Sequence, residues 1–525
     1  MGDLLSAPSW RGPVAVALLA YALFAAGTPQ IENPGEQTRL ELATSLGLHG
    51  SVAIDPVLEA YGTPFDRAVR DGKTYADKAP GLSFVGAPVV ATLGQLLPRA
   101  PESHLPAYWP LRNLLVLLLV ALPAALFPFL ALRRYGGVAR HRRAAVAVLF
   151  ALCTPLLTYG VVLLSHVPAG MLAVLAFVLL VRPGRADAIP SEKAAFWGGV
   201  ALAAAVTMEY PTALFGLVLF PTMLLRRTPL RTLAGFALGC FVGILPCLAY
   251  HWLAFGSPLA TGYSFKSDSW HAIVHDQGML GVALPSAERL WGVFGSARRG
   301  MLFYCPLLLL VPLGWWRMEV ARRGSSLPFV ALTVVYAFFA GGFVDWMAGW
   351  SAAARHLIPW MVLAVFPVAA AIDHLAERRR TRWLLVPLVA TSLVGALLSL
   401  SFSPWFPEHF SSPFGQVVLP MLGQGFAAPT LLASADLAAR PWALAATALL
   451  ITGATAHALG RLLRTTTLRA FAGIAAVAAL QVLLLLATAK PLNHDDQTVQ
   501  SQVLERLGYD QEEREARGVT VTPWY

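Results

Sequence analysis

The chain has 525 residues, of which 57% are hydrophobic and only 13% are charged, and its mean hydropathy is +0.61. This composition excludes an ordinary soluble globular domain and indicates a membrane protein. The formal net charge of +10 would favour a nucleic-acid-binding protein only if the charge were collected on one surface, so its distribution along the chain has to be considered first.

A helix needs about 20 apolar residues to cross the hydrocarbon core, and the sequence contains about thirteen such runs. They are centred near residues 21, 121, 153, 173, 202, 217, 243, 307, 335, 366, 393, 449 and 478. We interpret the first run as an uncleaved span, because Arg11 is the only positive charge before it. The sequence therefore predicts an all-α polytopic protein with a membrane domain over 1–488 and a tail over 489–525.

Arginine-rich connections alternate with arginine-poor ones along the chain. The rich connections are 133–143, 182–193, 226–231, 317–323, 377–382 and 461–469. Together with Arg11 they hold about 22 of the 39 lysines and arginines. Since cytoplasmic loops carry the positive excess, we predict that these connections and the N-terminus are cytoplasmic and that the C-terminus is outside. Membrane topology then explains the basic charge, and no nucleic-acid partner is implied.

The longest early connection predicted on the outer side covers 30–109, and it opens with a helix signal. Asn33 is a typical N-cap, Pro34 suits the first helical position, and Gly47 or Gly50 favours a stop. Glu36, three residues after the cap, would close a capping box or act in catalysis, and the two roles do not exclude each other. The leucines that follow predict a helix along the membrane surface.

A charged segment follows in the same loop and ends at Asp77 and Lys78. We interpret most of its charges as a solvated or salt-bridged face. Pro80 disfavours helix at the residue before it, and the apolar segment 82–97 must lie at or dip into the outer surface if the arginine alternation is to hold. A cation held at that depth is suited to a lipid phosphate, which is a role we predict for Lys78.

Other ionisable residues stand at the predicted outer ends of spans. Arg298 and Arg299 precede one apolar run, and Arg355 follows a row of alanines. The planar guanidinium suits phosphate oxygens, although residues at span ends also snorkel to ordinary headgroups. His166 and Glu209 lie near other outer ends, where ionisable groups usually have a function.

The order of several short segments resembles the GT-C class of integral membrane glycosyltransferases, in particular relatives of protein O-mannosyltransferases and of lipid A aminoarabinose transferases. "EQTR" (36–39) resembles the acidic-then-Arg motif of the first outer loop, and "DKAPGL" (77–82) resembles its Lys-Pro-Pro stretch. Later segments that look similar are "LLSHVPAGML" (163–172), "MEYPTALFG" (208–216), "AFGSPLATGYSF" (254–265), "SARRGMLFYCPLLLL" (296–310) and "GWSAAARHLIP" (349–359). The resemblance covers residues 15–375.

The resemblance implies an inverting transfer of a sugar from a polyprenyl phosphate to an acceptor on the outer face. It assigns Glu36 as the base and Lys78 as a ligand of the donor phosphate, with further ligands at Arg355, Arg298 and Arg299. Accessory residues would be Arg39, Asp77, His166 and Glu209. Ser165 and His166 stand where better-known relatives have an aspartate, which puts a second catalytic carboxylate there in doubt.

The sequence has no P-loop, dinucleotide fingerprint or metal-ligand spacing, and its four cysteines form no disulfide or zinc pattern. A divalent cation between Glu36 and the phosphate has no support in the sequence. The expected partners are membrane lipid, the polyprenyl-phosphate sugar and a glycan, lipid or protein acceptor, and the expected location is a bacterial inner membrane. Two alternatives stay open: a transporter or lipid flippase, and a polysaccharide polymerase or ligase.

Overall fold

The computed structural model describes residues 8–27, 33–181, 183, 189–266, 273–274, 277–278, 281–402, 404–492, 494–517 and 519. Helices dominate these residues, and the strands among them form a single two-stranded hairpin. The predicted all-α class is therefore confirmed.

Among the described residues, five helices are long and apolar enough to cross a membrane, and a bent pair that meets at 57° would make a sixth. The five are Tyr108–Arg133, Leu230–Phe255, Arg382–Ser401, Arg440–Leu463 and Thr467–Thr488, and the bent pair is Arg355–Leu363 with Val365–Glu377. The chain is thus a membrane protein by the length and composition of its helices, and the count of about thirteen spans stays a prediction.

The centres of the other predicted apolar runs fall on shorter helical segments. The run near residue 153 differs, because its centre falls between two helices. Thr154 caps a new turn there and Pro155 takes its first helical position, so the run is divided into Arg143–Leu152 and Pro155–Tyr159. The further short apolar helices are Trp10–Ala25, Gly81–Leu96, His166–Val181, Tyr210–Leu225, Leu327–Gly342 and Phe414–Gly423.

The remaining helices connect or cover this bundle. They are Pro34–His49, Asp55–Tyr61, Glu192–Met208, Gly262–Phe265, Ala287–Phe294, Met301–Tyr304, Pro306–Leu310, Val311–Ala321, His494–Arg506 and Gln511–Ala516. The last two belong to the predicted tail, which folds back onto the membrane domain. The Tyr509 hydroxyl and the backbone of Ala427 are hydrogen-bonded at 3.0 Å, and Arg440 donates to the carbonyl of Leu507 at 2.6 Å.

Several arginine-rich connections meet at one end of the bundle, as the charge alternation predicts. Arg142 pairs with Asp373 at 3.0 Å, and Arg226 donates to the carbonyl of Val181 at 3.0 Å. Segments 134–139, 317–325 and 370–374 line one cavity together. We call this end, formed by 133–143, 317–325 and 370–382, the arginine-rich end.

The first helix of the long loop begins and ends where the sequence predicts. The side chain of Asn33 accepts hydrogen bonds from the amides of Gly35 and Glu36, and Gly50 ends the helix with φ 62°. Its burial corrects the predicted surface helix, because residues 35–45 are all buried and no exposed polar face remains along that stretch. Helix Gly81–Thr92 packs closely against it, with Gly47 approaching the backbone of Ala87.

A short hairpin in the same loop was not predicted. Strands Arg67–Arg70 and Lys73–Ala76 pair antiparallel, with Arg67 opposite Ala76 and Arg70 opposite Lys73. The two turn residues have φ values of 51° and 73°, which matches the left-handed turn that an Asp-Gly pair favours. Since the chain positions 66 and 77 lie just beyond the last strand pair, the hairpin brings their side chains together.

Candidate functional site

Charged residues converge at the end of the bundle opposite the arginine-rich end. Helix Tyr108–Arg133 begins near this site with Arg112 and ends at the arginine-rich end with Arg133, and its 26 residues span about 39 Å. The bent pair runs the same way, because Arg355 begins it and His374 lies in its last turn. The same helices therefore separate the two ends.

Four residues flanking the hairpin, together with Tyr263, form what we call the hairpin cluster. Lys78 lies 3.1 Å from both Asp66 and Asp77, and Lys266 lies 2.8 Å from Asp77 and 3.5 Å from Asp66. Both ammonium groups also stand 5.6 Å from the ring centre of Tyr263. Two lysines thus share two carboxylates over one aromatic ring.

The backbone around this cluster leaves little space. Residue 68 bridges to residue 266 as an isolated antiparallel pair, which fixes Lys266 beside the first strand. A Cβ atom on Gly262 would lie 2.5 Å from the Cα of Asp77, and one on Gly81 would lie 2.7 Å from the backbone nitrogen of Met208. Glycine at these two positions therefore allows the loops to close around the cluster.

A second set of polar residues lies next to the cluster, and we call it the Glu209 group. The hydroxyl of Ser165 donates to Glu209 at 2.5 Å, Arg39 lies 3.4 Å from the same carboxylate, and Nδ1 of His166 lies 3.7 Å from it. Arg39 also donates to Ser165 at 3.0 Å. A Cβ built on Gly35 would lie within 3.6 Å of both Arg39 and Asp66, so the two sets adjoin.

Glu36 has a different environment from the one predicted. Its Oε1 accepts a bond of 2.6 Å from Arg112 and a further bond from the backbone amide of Leu163. The side chains of Glu36 and Arg112 are only 3% and 1% exposed. The carboxylate therefore neutralises a buried guanidinium and ties the first loop to helix Tyr108–Arg133 and to the connection that precedes helix His166–Val181, rather than closing a capping box with Asn33.

Arg355 borders the cluster and is half-buried. Its guanidinium has no hydrogen bond or ion pair with any of the residues that the structure describes, and its Nε atom is completely buried. The charge of Arg355 acts on Lys78 and on His166, which places all three within electrostatic range. His356 follows it, and the imidazole rings of His356 and His166 are 6.3 Å apart.

The segment that carries Arg355 has a strained backbone. Ala348 and Ala353 adopt φ values of 59° and 54°, a region that alanine rarely enters. Strain of this kind costs about 1 to 3 kcal/mol per residue and persists where the surrounding structure enforces it, often at functional sites. The hydroxyl of Tyr159 is one such restraint, since it donates to the carbonyl of Ala352 at 2.5 Å.

Arg298 and Arg299, the other two predicted phosphate ligands, have protein partners. The guanidinium of Arg299 is fully buried and donates to the backbone carbonyls of Met347, Gly349, Phe406 and Arg298 at 2.8 to 3.2 Å. Nη1 of Arg298 lies 3.6 Å from the sulfur of Met347. Arg299 therefore braces the loops that contain these carbonyls, and most of its donors are already used.

Burial and neighbouring charges shift the pKa values of Lys78 and Tyr263 in opposite directions. Burial lowers the pKa of Lys78, but the carboxylates of Asp66 and Asp77 outweigh it and hold that pKa above its usual range. Burial raises the pKa of Tyr263 to about 12, against the opposing effect of Lys78. At neutral pH the cluster thus contains a charged lysine beside a neutral phenol.

Sequence reasoning named most of these residues but missed Arg112, Tyr263, Lys266 and His356 as members of the site. The sequence could have indicated Arg112, because a charged arginine inside a predicted apolar run has a high free-energy cost unless it has a partner. Lys266 directly follows the segment 254–265 that carries the family resemblance, so it adjoined a motif without being part of it.

The chemistry of this arrangement is that of an anion site beside potential proton acceptors. No group of three or more His, Cys, Asp or Glu side chains with metal-binding geometry occurs in the described part of the chain. Comparison of the chain with known protein families gives no match, and a search of curated proteins gives none either.

Proposed function

We propose that this protein is a glycosyltransferase that moves a sugar from a polyprenyl phosphate to an acceptor at the membrane surface. In this proposal the chain has about thirteen spans in a GT-C-like arrangement, and the site faces the outer side of a bacterial inner membrane. The resemblance of "EQTR" and "DKAPGL" supports the reaction type, and both segments contribute side chains to the site just described.

The observation that carries the proposal is Arg355. The cluster and the Glu209 group hold the cations Arg39, Lys78 and Lys266 against the carboxylates Asp66, Asp77 and Glu209, so these six charges balance. Arg355 adds one further positive charge that has no hydrogen bond or ion pair with the described residues, and the carboxylate on which its charge acts is that of Glu408. A phosphate would supply the missing anion, and arginine's planar fork suits its oxygens in a poorly hydrated site.

The proton acceptor is better placed at Glu209 than at Glu36. Both carboxylates pair with an arginine, but the pair of Glu36 with Arg112 is shorter, at 2.6 Å against 3.4 Å for Glu209 with Arg39. The Glu36 side chain is only 3% exposed, whereas the Glu209 side chain is 13% exposed and stands beside His166. We therefore assign Glu209, assisted by His166, as the base, and Glu36 as a residue that positions the first loop. Arg39 and Asp77 hold Glu209 and the lysines in place.

The transfer requires one bond to form and one to break. Glu209 takes the proton of the acceptor hydroxyl or amine while that atom attacks the anomeric carbon, and the bond from that carbon to the phosphate oxygen breaks with inversion. Lys78 and Arg355 stabilise the negative charge that develops on the departing polyprenyl phosphate. A phosphate is already a good leaving group, so the site needs no general acid.

The test is transfer from a radiolabelled polyprenyl-phosphate sugar by the purified protein in proteoliposomes with co-extracted acceptor. We expect Arg355→Gln to raise the KM for the donor by about 10- to 100-fold, the range set by loss of a charged hydrogen bond. Arg380→Gln is the matched control, because Arg380 is exposed at the other end of the bundle. Equal kinetics in the wild type and Arg355→Gln would remove the main support for the proposal.

A transporter or flippase is the second candidate, favoured by the bend of 57° within the helix pair that Arg355 begins. Discontinuous helices often bind substrates in transporters. The same proteoliposomes distinguish the two functions: a transporter moves the labelled lipid to the opposite leaflet without forming a new glycosidic bond. A product that gains many sugars at once would indicate a polymerase or ligase.

A further inference from the structure

Two cavities meet at the arginine-rich end, far from the site proposed above. One has a volume of about 490 Å³ and is lined by loop residues, including Arg134 and Arg322, and by helix residues, including Arg317. The other has a volume of about 650 Å³ and lies between helices Tyr108–Arg133 and His166–Val181. Both are lined by Arg134, Tyr135 and Pro183, so the two cavities adjoin at these residues.

The first cavity is cationic and incompletely satisfied. Arg134, Arg317 and Arg322 have no ion pair or side-chain hydrogen bond with residues in the described ranges, and Arg317 stacks only on the ring of Trp316. The carboxylate of Asp373, also in the lining, is taken by Arg142 and by the amide of Ala139.

A buried histidine in the same lining also lacks a partner. The side chain of His374 is only 8% exposed, and its Nδ1 atom is buried without a hydrogen bond. A buried polar atom of this kind is rare unless a ligand or water satisfies it. Since His374 lies on the wall of the cationic cavity, an anionic group in that cavity would be within its reach.

The second cavity is apolar and opens towards the lipid. Its walls include Phe127 and Leu130 on one helix and Met171, Leu175 and Val178 on the other. The stretch from 171 to 178 is about 10 Å long. Leu130 and Leu175 are 50% and 48% exposed at the surface that a bilayer would cover. A groove of this length and composition fits part of a hydrocarbon chain.

We propose that these joined cavities bind an anionic phosphate lipid, with its phosphate among Arg134, Arg317 and His374 and one chain in the groove between the two helices. The buried His374, whose Nδ1 atom lacks a partner, separates this arrangement from the general excess of arginine in such loops. Arg317 beside it is half-buried, whereas Arg134 and Arg322 are exposed, as Arg379 and Arg380 are. Three unpaired cations, a buried unsatisfied imidazole and an adjoining apolar groove together match the two parts of a lipid. The proposal does not rest on the proposed transferase activity.

Two kinds of lipid carry both a phosphate and a hydrocarbon chain: ordinary anionic phospholipids and polyprenyl phosphates. Binding assays distinguish them. The purified protein in detergent is titrated with short-chain phosphatidylglycerol, phosphatidylcholine and a short polyprenyl monophosphate, with native mass spectrometry as the readout. We expect both anionic lipids to bind, and phosphatidylcholine to bind at least about fivefold more weakly, as expected for loss of one favourable charge. The tighter anionic lipid identifies the source.

Two sets of variants test where the lipid lies. Arg134→Gln combined with Arg317→Gln should weaken binding of the anionic lipids by about 25-fold, at about fivefold per cation. Leu175→Trp should weaken binding of the lipids but leave glycerol phosphate unaffected, because it blocks only the groove. Arg379→Gln combined with Arg380→Gln is the control of equal charge, because both residues are exposed. Unchanged lipid affinity in the double variant, or equal affinity for phosphatidylcholine, would overturn the proposal.

Discussion

Oε1 of Glu36 lies 2.6 Å from a terminal guanidinium nitrogen of Arg112, and both side chains are almost completely buried. The two residues belong to the first helix of the long loop and to the second turn of a long apolar helix. Their ion pair therefore joins the loop to the membrane domain, and its removal affects folding before it affects chemistry.

Glu36→Ala is expected to destabilise the protein by about 3 to 5 kcal/mol, because it leaves a buried guanidinium without its counter-charge. Thermal unfolding in detergent, followed by size-exclusion chromatography, measures the change. Asp71→Asn is the control, since Asp71 forms an exposed pair with Arg70 and its loss should change stability by no more than about 0.5 kcal/mol. An unchanged melting temperature for Glu36→Ala would refute the structural role.

Glu209→Gln is expected to lower the kcat of the folded protein by about a hundredfold or more, and also to lower the melting temperature, because the buried Arg39 loses its counter-charge. The amide keeps the shape of the carboxylate but cannot take the acceptor's proton. Glu36→Gln should lower the melting temperature too, but it should leave the kcat of the folded protein close to that of the wild type. Glu288→Gln, at an exposed helix position, is the matched control. If activity survives in Glu209→Gln but not in a folded Glu36→Gln protein, the base is Glu36.

Donor binding through Lys78 should not depend on pH from about pH 7 to about pH 10. Burial lowers the pKa of Lys78, but Asp66 and Asp77 more than offset this, so the folded-state pKa is raised. The ion-pair contribution is then complete below the ordinary lysine pKa and is lost only as the pH rises through the raised value.

The measurement is the ratio of donor Kd values for Lys78→Ala and the wild type across that pH range. We expect a constant ratio well above one. Lys73→Ala, which changes an exposed lysine in the same hairpin, should leave Kd unchanged at every pH. A ratio that falls towards one near pH 9 would mean that Lys78 loses its proton there.

Gly262→Ala is expected to abolish donor binding, because the new methyl group would lie 2.5 Å from the Cα of Asp77 and push the hairpin away from Lys266. Gly136→Ala, where nothing lies within 4 Å of the added atom, should behave like the wild type. Donor Kd and melting temperature are measured for both. Normal donor affinity in Gly262→Ala would show that the hairpin cluster is not needed for binding.

Local patterns explain what the sequence predicted correctly. Apolar runs of sufficient length predicted the helices and the membrane class, and the Asn33 and Pro34 signals predicted where the first loop helix begins. The Asp71-Gly72 pair is an equally local pattern, and an Asp-Gly pair of this kind favours a two-residue hairpin turn. The burial of the loop helix was beyond such patterns, because it depends on which segments pack around it.

The sequence by itself therefore determined that this is an α-helical membrane protein whose arginines are grouped in alternate connections. Tertiary structure alone decided which charges meet. Glu36 and Arg112 are 76 positions apart, and Asp77 reaches Lys266 only because the hairpin and a later loop close around Gly262. Helix and turn signals act over a few residues, whereas the partner of a buried charge is set by packing between distant segments.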